Sequence, residues 1–381
     1  MAKNSIFFIN GQEYSPKKPL IIAELGTSHG LDPVKASELV DAAAESGANC
    51  IKFQMVFANE ILHPNTGIVE LPGGSIPLYD RFKQLEAPLS FYAEMKERVE
   101  KSGLVFLCTP FGMRSARELK SLNPACIKIA SPELNYTKLL EEISLYDLPV
   151  LLSSGVSRLA DIEAALDILL SNFTPERKAE TKNTICLLHC VTSYPAPETD
   201  YNLSVLKNLS RIFGLPAGIS DHSLDPVLVP ALALSQGACV IEKHFCLSRD
   251  DPGLDDPIAL PPKDFEKMCS AVRKFESYDE EKIIGELSGE YGKDLIEKIL
   301  GDGIKRLAPS EENNYSRTNR SVHALREIKE GETITAEMIA SLRTEKILRP
   351  GLPPSFEKLL PGLRARQDIP NGEGIRWEDL F

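Results

Sequence analysis

The chain of 381 residues carries 43 Lys and Arg against 55 Asp and Glu, for a formal net charge of -12, with 43% hydrophobic and 26% charged residues. That is an ordinary globular balance, and the acidic excess argues against a nucleic-acid binder, which needs a basic face. Any small anionic ligand must then be met by a local cluster of Lys rather than by the overall field.

The opening "MAKNSIFFINGQEYS" has only "IFFI" as an apolar run, with no small-residue cleavage site after it. It does not read as a secretory signal. No stretch approaches the roughly 20 apolar residues of a membrane span, so no membrane partner is expected. None of the eight cysteines forms a Cys-x-x-Cys pair, and most lie in apolar runs such as "LVFLC" and "ACIKI". They read as small buried hydrophobes in a reducing, cytoplasmic setting.

In chain order, "SIFFINGQEYS" predicts a hairpin around Asn10-Gly11 within residues 1–16. Short apolar runs then recur at 20–24, 49–54, 104–108, 125–130, 148–153, 184–190, 214–220 and 238–244. Between them lie segments of helical period. "DPVKASELVDAAAESG" is the clearest, with a Pro near its start, Leu39, Val40 and Ala43 on one face, and Gly47 as a stop. Strand–helix units repeated in this way predict a (β/α)8 barrel over 1–276, closed below by the hairpin. No G-x-G-x-x-G follows the first strand, which counts against a doubly wound sheet. Residues 277–318 turn charged and then Gly/Pro/Asn-rich and read as a helix and a linker. Residues 319–381, with "IKEGETIT", "RPGLPP" and "LPGLRARQDIPNGEG", read as a small β-rich domain.

Strand alternation sorts the polar residues. Ile51 and Phe53 share one side and Lys52 and Gln54 the other; Ile127 and Ile129 face the helices, so Lys128 points inward. Glu24 points in with Ile22, Glu242 points with His244, and His222 shares parity with Ser220. Glu24, Lys52, Thr109, Lys128, Ser131, Glu133, Ser153, His189, Ser220, His222 and His244 are expected at the C-terminal mouth, where barrel enzymes keep their sites. Packing alone does not explain polar groups at the same end of many strands, because buried charges are costly without partners. Two Lys with several hydroxyls suit a phosphate and a carboxylate. Two His on adjacent strands suit a divalent metal with open positions, with Mn, Mg, Zn and Fe all compatible.

The motifs "IIAELG", "IKFQ", "CTPF", "LLSSGV", "GISDHS" and "IEKHF" together resemble the sialic acid synthase family. "LGDGIKRLAPSE" is similar to its linker, and "NRSVHALREIKEGETIT" with the later "RPG" to its antifreeze-like (SAF) domain. The resemblance implies condensation of phosphoenolpyruvate with an N-acetylated hexosamine aldehyde and release of phosphate. It implies Mn2+ or Mg2+ on His222 and His244, and phosphoenolpyruvate on Lys52, Thr109, Lys128, Ser131, Ser153 and Ser220. It implies the amino sugar on Glu24, Gln54, Tyr194 and Asp255, with Glu24, Lys52 and Lys128 taking part in catalysis. Glu133 matches the acid that handles the attacking water. Arg320 matches an arginine that binds the sugar, reaching into the partner's site in a domain-swapped homodimer and touching the N-acetyl group. Two positions depart from the family pattern: Ser28 in "TSHG", where Asn is common and His29 is kept, and Thr192 in "LHCVTSYP", where Asn is again common. Both bear on which sugar is taken.

Two other readings compete. A related synthase acting on a phosphorylated aldose lacks the small C-terminal domain, so the 319–381 segment counts against it. A non-catalytic carbohydrate-binding protein has no use for two histidines beside two phosphate-type lysines.

Overall fold

The computed structural model describes residues 6–71, 74–172 and 184–381. β1 (Phe7–Ile9) and β2 (Gln12–Tyr14) form the expected hairpin, with Asn10 and Gly11 both left-handed (φ 49° and 76°) as a tight two-residue turn requires. Eight parallel strands follow: β3 (Leu20–Gly26), β4 (Cys50–Met55), β7 (Val105–Pro110), β8 (Ile127–Ile129), β9 (Val150–Ser153), β10 (Ile185–Cys190), β11 (Ala217–Asp221) and β12 (Val240–His244). They are hydrogen-bonded in the order β7-β4-β3-β12-β11-β10-β9-β8. β7 and β8 also lie against each other, which closes the cylinder. Each of the eight apolar runs in the sequence overlaps one of these strands.

Helices cover the outside. The helix Pro33–Glu45 starts where the Asp32 side chain accepts from the Val34 amide, and Pro33 suits the first turn. It buries Ala36, Leu39, Val40 and Ala43, and the chain leaves it through Gly47 at φ 97°. Odd-numbered strand residues such as Ile51, Phe53, Ile127 and Ile129 join this outer core, while Ile22, Cys50, Leu151 and Leu188 point inward. The inward set packs on Phe7, Ile9 and Tyr14, so the hairpin plugs the bottom of the barrel.

The insertion after β4 went unread in the sequence. It holds a short antiparallel pair, β5 (Ile68–Leu71) and β6 (Gly74–Pro77), and the helix Leu78–Lys83. After the barrel, Gly292 at φ 89° splits the expected single helix into Glu280–Tyr291 and Lys293–Leu300. The C-terminal domain has its own core of Val322, Ile334, Ile339, Leu360, Ile369 and Ile375. Its ladder of β13 (Arg320–Ala324) and β14 (Ile339–Arg343) places Arg320 directly opposite Arg343. Like charges so placed are unfavourable unless an anion lies between them.

Candidate functional site

A cavity of about 330 Å³ opens at the C-terminal ends of the strands. Its walls carry Glu24, Lys52, Gln54, Thr109, Lys128 and Ser131 from the first half of the barrel. From the second half come Ser153, Tyr194, Ser220, His222, Glu242, His244 and Asp255. Apart from Glu242, these are residues that strand alternation or the family resemblance singled out; of the expected set, Glu133, His189 and Arg320 are not on this wall.

The two strands β11 and β12 run in register, Ser220 beside Glu242 and Asp221 beside Lys243. The period of two then alternates their roles. Ser220 and Glu242 face the cavity, where the Ser220 hydroxyl donates to Glu242 Oε1 at 2.8 Å. Asp221 and Lys243 turn away and form a buried pair at 2.6 Å. His222 and His244 face the cavity again, with ring centroids 5.4 Å apart.

Beside the histidines, Lys52 Nζ lies 3.1 Å from Glu24 and 3.2 Å from Glu242. Lys128 Nζ donates to Ser153 Oγ at 2.6 Å and stands 4.0 Å from Glu242. Burial opposes the charge on Lys52, but Glu24 and Glu242 outweigh it and hold its pKa above the ordinary range. Burial lowers Lys128 to about 8, with Glu242 partly restoring it. Burial also raises the Glu24 carboxyl to about 7, moderated by Lys52. The two lysines, kept apart in pKa, offer an anion one permanent and one titrating cation. Thr109 adds a buried hydroxyl with no hydrogen-bond partner among the described residues, and the Ser131 hydroxyl accepts from the Gly155 amide at 3.0 Å.

The histidines suit a cation. His222 Nδ1 lies 2.8 Å from the Val191 carbonyl and donates to it; burial opposes the charge on the ring, but the neighbouring Cys190 outweighs it and raises its pKa to about 9, so a metal on Nε2 would displace a proton. Burial, with His222 adding to it, holds His244 well below the ordinary imidazole range, so it is a neutral ligand type. His244 Nδ1 is 3.9 Å from Asp255, and Tyr194 stacks on His222 at 4.2 Å. No cluster of three or more His, Cys, Asp and Glu able to hold a metal occurs among the described residues. An ion on the two imidazoles would be completed by water or by oxygens of a bound molecule.

Three expected residues lie elsewhere. His189 is on the outer face of β10, because Leu188 and Cys190 on either side of it point inward. Its Nε2 lies 2.6 Å from the Tyr201 carbonyl, and burial lowers its pKa to about 3. Glu133, fully buried, does not line the cavity; its Oε1 accepts from Arg320 at 3.0 Å and Arg343 at 2.7 Å. Arg320 turns to this carboxylate and to the carbonyls of Glu60, Phe111 and Ser341 within the same chain. Of the two departures, Ser28 is tied to the buried Asp256, and Thr192 lines the cavity. His29 packs between Phe53 and Phe91.

The sequence reading missed the roles of Glu242 and Arg343. Glu242 was legible from its parity with His244. Arg343 was not, because it comes from the C-terminal domain onto the cavity wall. It missed Glu311 as well. That linker residue is buried and accepts from the Val156 amide at 2.8 Å and the Thr192 amide at 2.7 Å, fastening the linker across the mouth.

Comparison with known proteins agrees with this architecture. Residues 39–283 match the NeuB family and residues 319–380 match the SAF domain. The chain is 32% identical to the spore coat polysaccharide biosynthesis protein SpsE of Bacillus subtilis, over 95% of this chain and 93% of that one. The crystal structure of that protein superposes with a TM-score of 0.80 and covers 99% of both chains. An N,N'-diacetyllegionaminic acid synthase of Campylobacter jejuni is 31% identical over 87% of this chain and 95% of its own. The N-acetylneuraminic acid (sialic acid) synthetase of Leptospira borgpetersenii, solved in complex with citrate, is 30% identical. It has a TM-score of 0.63 and covers 81% of this chain and 95% of that one. A barrel with paired lysines and histidines at one mouth, joined to a small C-terminal domain, thus identifies the chain as a member of the NeuB family carrying a SAF domain.

Proposed function

We propose that this protein is an enzyme that joins phosphoenolpyruvate to the open-chain aldehyde of an N-acetylated hexosamine, with uptake of water and release of phosphate, giving a nine-carbon sugar acid. The observation that carries this reading is one cavity holding both the Lys52–Lys128 pair and the His222–His244 pair. The likeness to a diacetyllegionaminic acid synthase and a sialic acid synthetase supports the product class.

Lys52, Lys128, Thr109, Ser131, Ser153 and Ser220 hold the phosphate and carboxylate of phosphoenolpyruvate. Gln54, Tyr194 and Asp255 hold the amino sugar. Mn2+ or Mg2+ on the two imidazoles would polarise the aldehyde oxygen. C3 of phosphoenolpyruvate bonds to the aldehyde carbon, whose oxygen takes up a proton. Water adds to the cationic C2 and loses a proton, and the C2–O bond to phosphate then breaks as the C2 hydroxyl gives its proton to the departing phosphate and becomes the keto group. Glu24, raised to about 7 by burial and held by Gln54 Nε2 at 2.6 Å, is half protonated near neutrality and suits both proton transfers. Glu133 does not line the cavity and is engaged by Arg320 and Arg343, so this duty falls to Glu24. Lys52 and Lys128 receive the departing phosphate, and the C-terminal domain and the linker limit access of bulk water to the cationic intermediate.

A homodimer exchanging its C-terminal domains belongs to the same reading. It would make the Glu133–Arg320–Arg343 contacts between subunits, and its mass in solution tests it. Cytoplasmic location belongs to it too, resting on eight free, buried cysteines. The decisive assay is phosphate release from phosphoenolpyruvate with Mn2+ or Mg2+. The panel comprises N-acetylmannosamine, 2,4-diacetamido hexoses and arabinose 5-phosphate. Release with an N-acetylated sugar, lost in His222→Ala, is expected. Release with arabinose 5-phosphate alone, or full activity in His222→Ala, overturns the reading.

A further inference from the structure

The loop that follows β9 is held by side chains from far along the chain. The Ser154 carbonyl accepts from Lys305 Nζ at 2.8 Å. The Val156 amide donates to Glu311 Oε1 at 2.8 Å, and the Val156 carbonyl accepts from Asn319 Nδ2 at 3.0 Å. These partners stand 151, 155 and 163 residues away in sequence. Lys305 and Glu311 belong to the linker, and Asn319 opens the C-terminal domain. Glu311 and Asn319 are both buried.

What they hold is strained. Val156 sits at φ 40°, the one β-branched residue with a positive φ among the described residues. A side chain branched at Cβ crowds its own backbone in the left-handed region, so such a residue stays there only where its surroundings over-determine it. Here both polar groups of the Val156 backbone are fixed, one by the linker and one by the C-terminal domain.

The same loop is a wall of the cavity at its lysine end. Ser153 Oγ accepts from Lys128 Nζ at 2.6 Å, and the Gly155 amide donates to Ser131 Oγ at 3.0 Å. Lys128, Ser131 and Ser153 all line the cavity. Gly155 is wedged between the two sides: a Cβ there would lie 2.9 Å from Ser131 Oγ and 3.1 Å from Glu311 Oε1. Relaxation of Val156 to a negative φ would move its neighbour Gly155, whose amide would then leave Ser131.

We propose that Glu311 and Asn319 are positioning residues for this wall. By keeping Val156 left-handed they fix Ser153 and Gly155 against Lys128 and Ser131, and Lys305 adds a third tie. On the reading of the reaction given above, they preset the groups that hold phosphoenolpyruvate. Its binding then depends on the linker and the C-terminal domain being seated on the barrel, although neither Glu311 nor Asn319 lines the cavity.

The test is calorimetric binding of phosphoenolpyruvate without acceptor, followed by the KM of both substrates in phosphate release with Mn2+ and N-acetylmannosamine. Asn319→Asp keeps the oxygen that accepts from the Ser316 amide at 3.0 Å and replaces the Nδ2 donor by an oxygen facing the Val156 carbonyl. It should raise the Kd and KM of phosphoenolpyruvate by about tenfold, the worth of one well-placed hydrogen bond, and the KM of the sugar by less than about twofold. Lys305→Met, at a partly exposed position, should raise the Kd by about threefold. In a Val156→Gly background Asn319→Asp should cost no more than about twofold, because glycine takes the left-handed conformation without strain. An unchanged Kd in Asn319→Asp, an equal rise in both KM values, or the full loss persisting beside Val156→Gly overturns the proposal alone. A wild-type protein that binds phosphoenolpyruvate and releases no phosphate with any acceptor overturns the reading of the reaction, and the calorimetric arms still decide the proposal. A wild-type protein that does not bind phosphoenolpyruvate overturns both.

Discussion

Replacing Lys243 by Met should destabilise the barrel far more than the loss of any surface ion pair. Lys243 Nζ reaches Asp221 Oδ2 at 2.6 Å, the Ser223 carbonyl at 2.6 Å and Ser223 Oγ at 3.2 Å. The two side chains of the pair are 1% and 0% exposed. Removing one partner of a buried pair costs about 3–5 kcal/mol, because the other charge stays behind in a poor solvent. Asp221 Oδ1 keeps the Tyr201 hydroxyl at 2.7 Å and the Ser223 amide at 2.8 Å. Those two bonds place the cost at the lower end, about 3 kcal/mol. For a domain of this size that is a fall in Tm of roughly 6–12 °C in calorimetry or circular dichroism. Lys293→Met removes an exposed pair with Glu297 at 3.5 Å and should cost under about 1 kcal/mol. Adding Asp221→Asn to Lys243→Met should recover part of the loss, since it removes the stranded charge. The Tyr201 hydroxyl also accepts from the His222 amide at 2.7 Å, so the site histidine sits on this network. A Tm for Lys243→Met as close to wild type as that of Lys293→Met would refute the reasoning.

Lys128 is depressed to about 8 by burial, so its ammonium becomes scarce on the alkaline side. The kcat/KM for phosphoenolpyruvate should therefore fall as pH rises through 8, and Lys128→Arg should remove that limb; a profile flat to about pH 10 refutes the assignment. A methyl group at Gly155 would meet Thr192 Oγ1, with Ser131 Oγ at 2.9 Å and Glu311 Oε1 at 3.1 Å. Gly155→Ala should thus raise the KM for phosphoenolpyruvate by about tenfold, the loss of one well-placed hydrogen bond, and an unchanged KM would show that the loop gives way. Glu311→Ala leaves the Val156, Thr192 and Ala308 amides without an acceptor and should cost about 2–4 kcal/mol of stability. Denaturant unfolding checks it, and a change within about 0.5 kcal/mol, the range of ordinary surface substitutions, would count against the linker as a clamp.

The sequence was most legible where a period governs. Alternation of two along a strand located Lys52, Lys128, Glu242, His222 and His244 on the inner face, because a residue on a parallel strand can face only the helices or the barrel interior. The same rule read with more care removes His189, since Leu188 and Cys190 already occupy the inner face of β10. Glu133 lies past the end of β8 in the short 3-10 turn Ser131–Glu133, where the period of two no longer applies. Its direction is set by Arg320 and Arg343, residues about 200 positions away in the chain.

The sequence by itself determined the strand–helix alternation, the hairpin plug, the separate C-terminal domain and the inward-facing polar set, all of which follow from local period and turn chemistry. Only the tertiary structure decided which carboxylate meets which cation. Those pairings depend on how one domain lies against another, and the desolvation that makes them strong or costly exists only once the two surfaces have met.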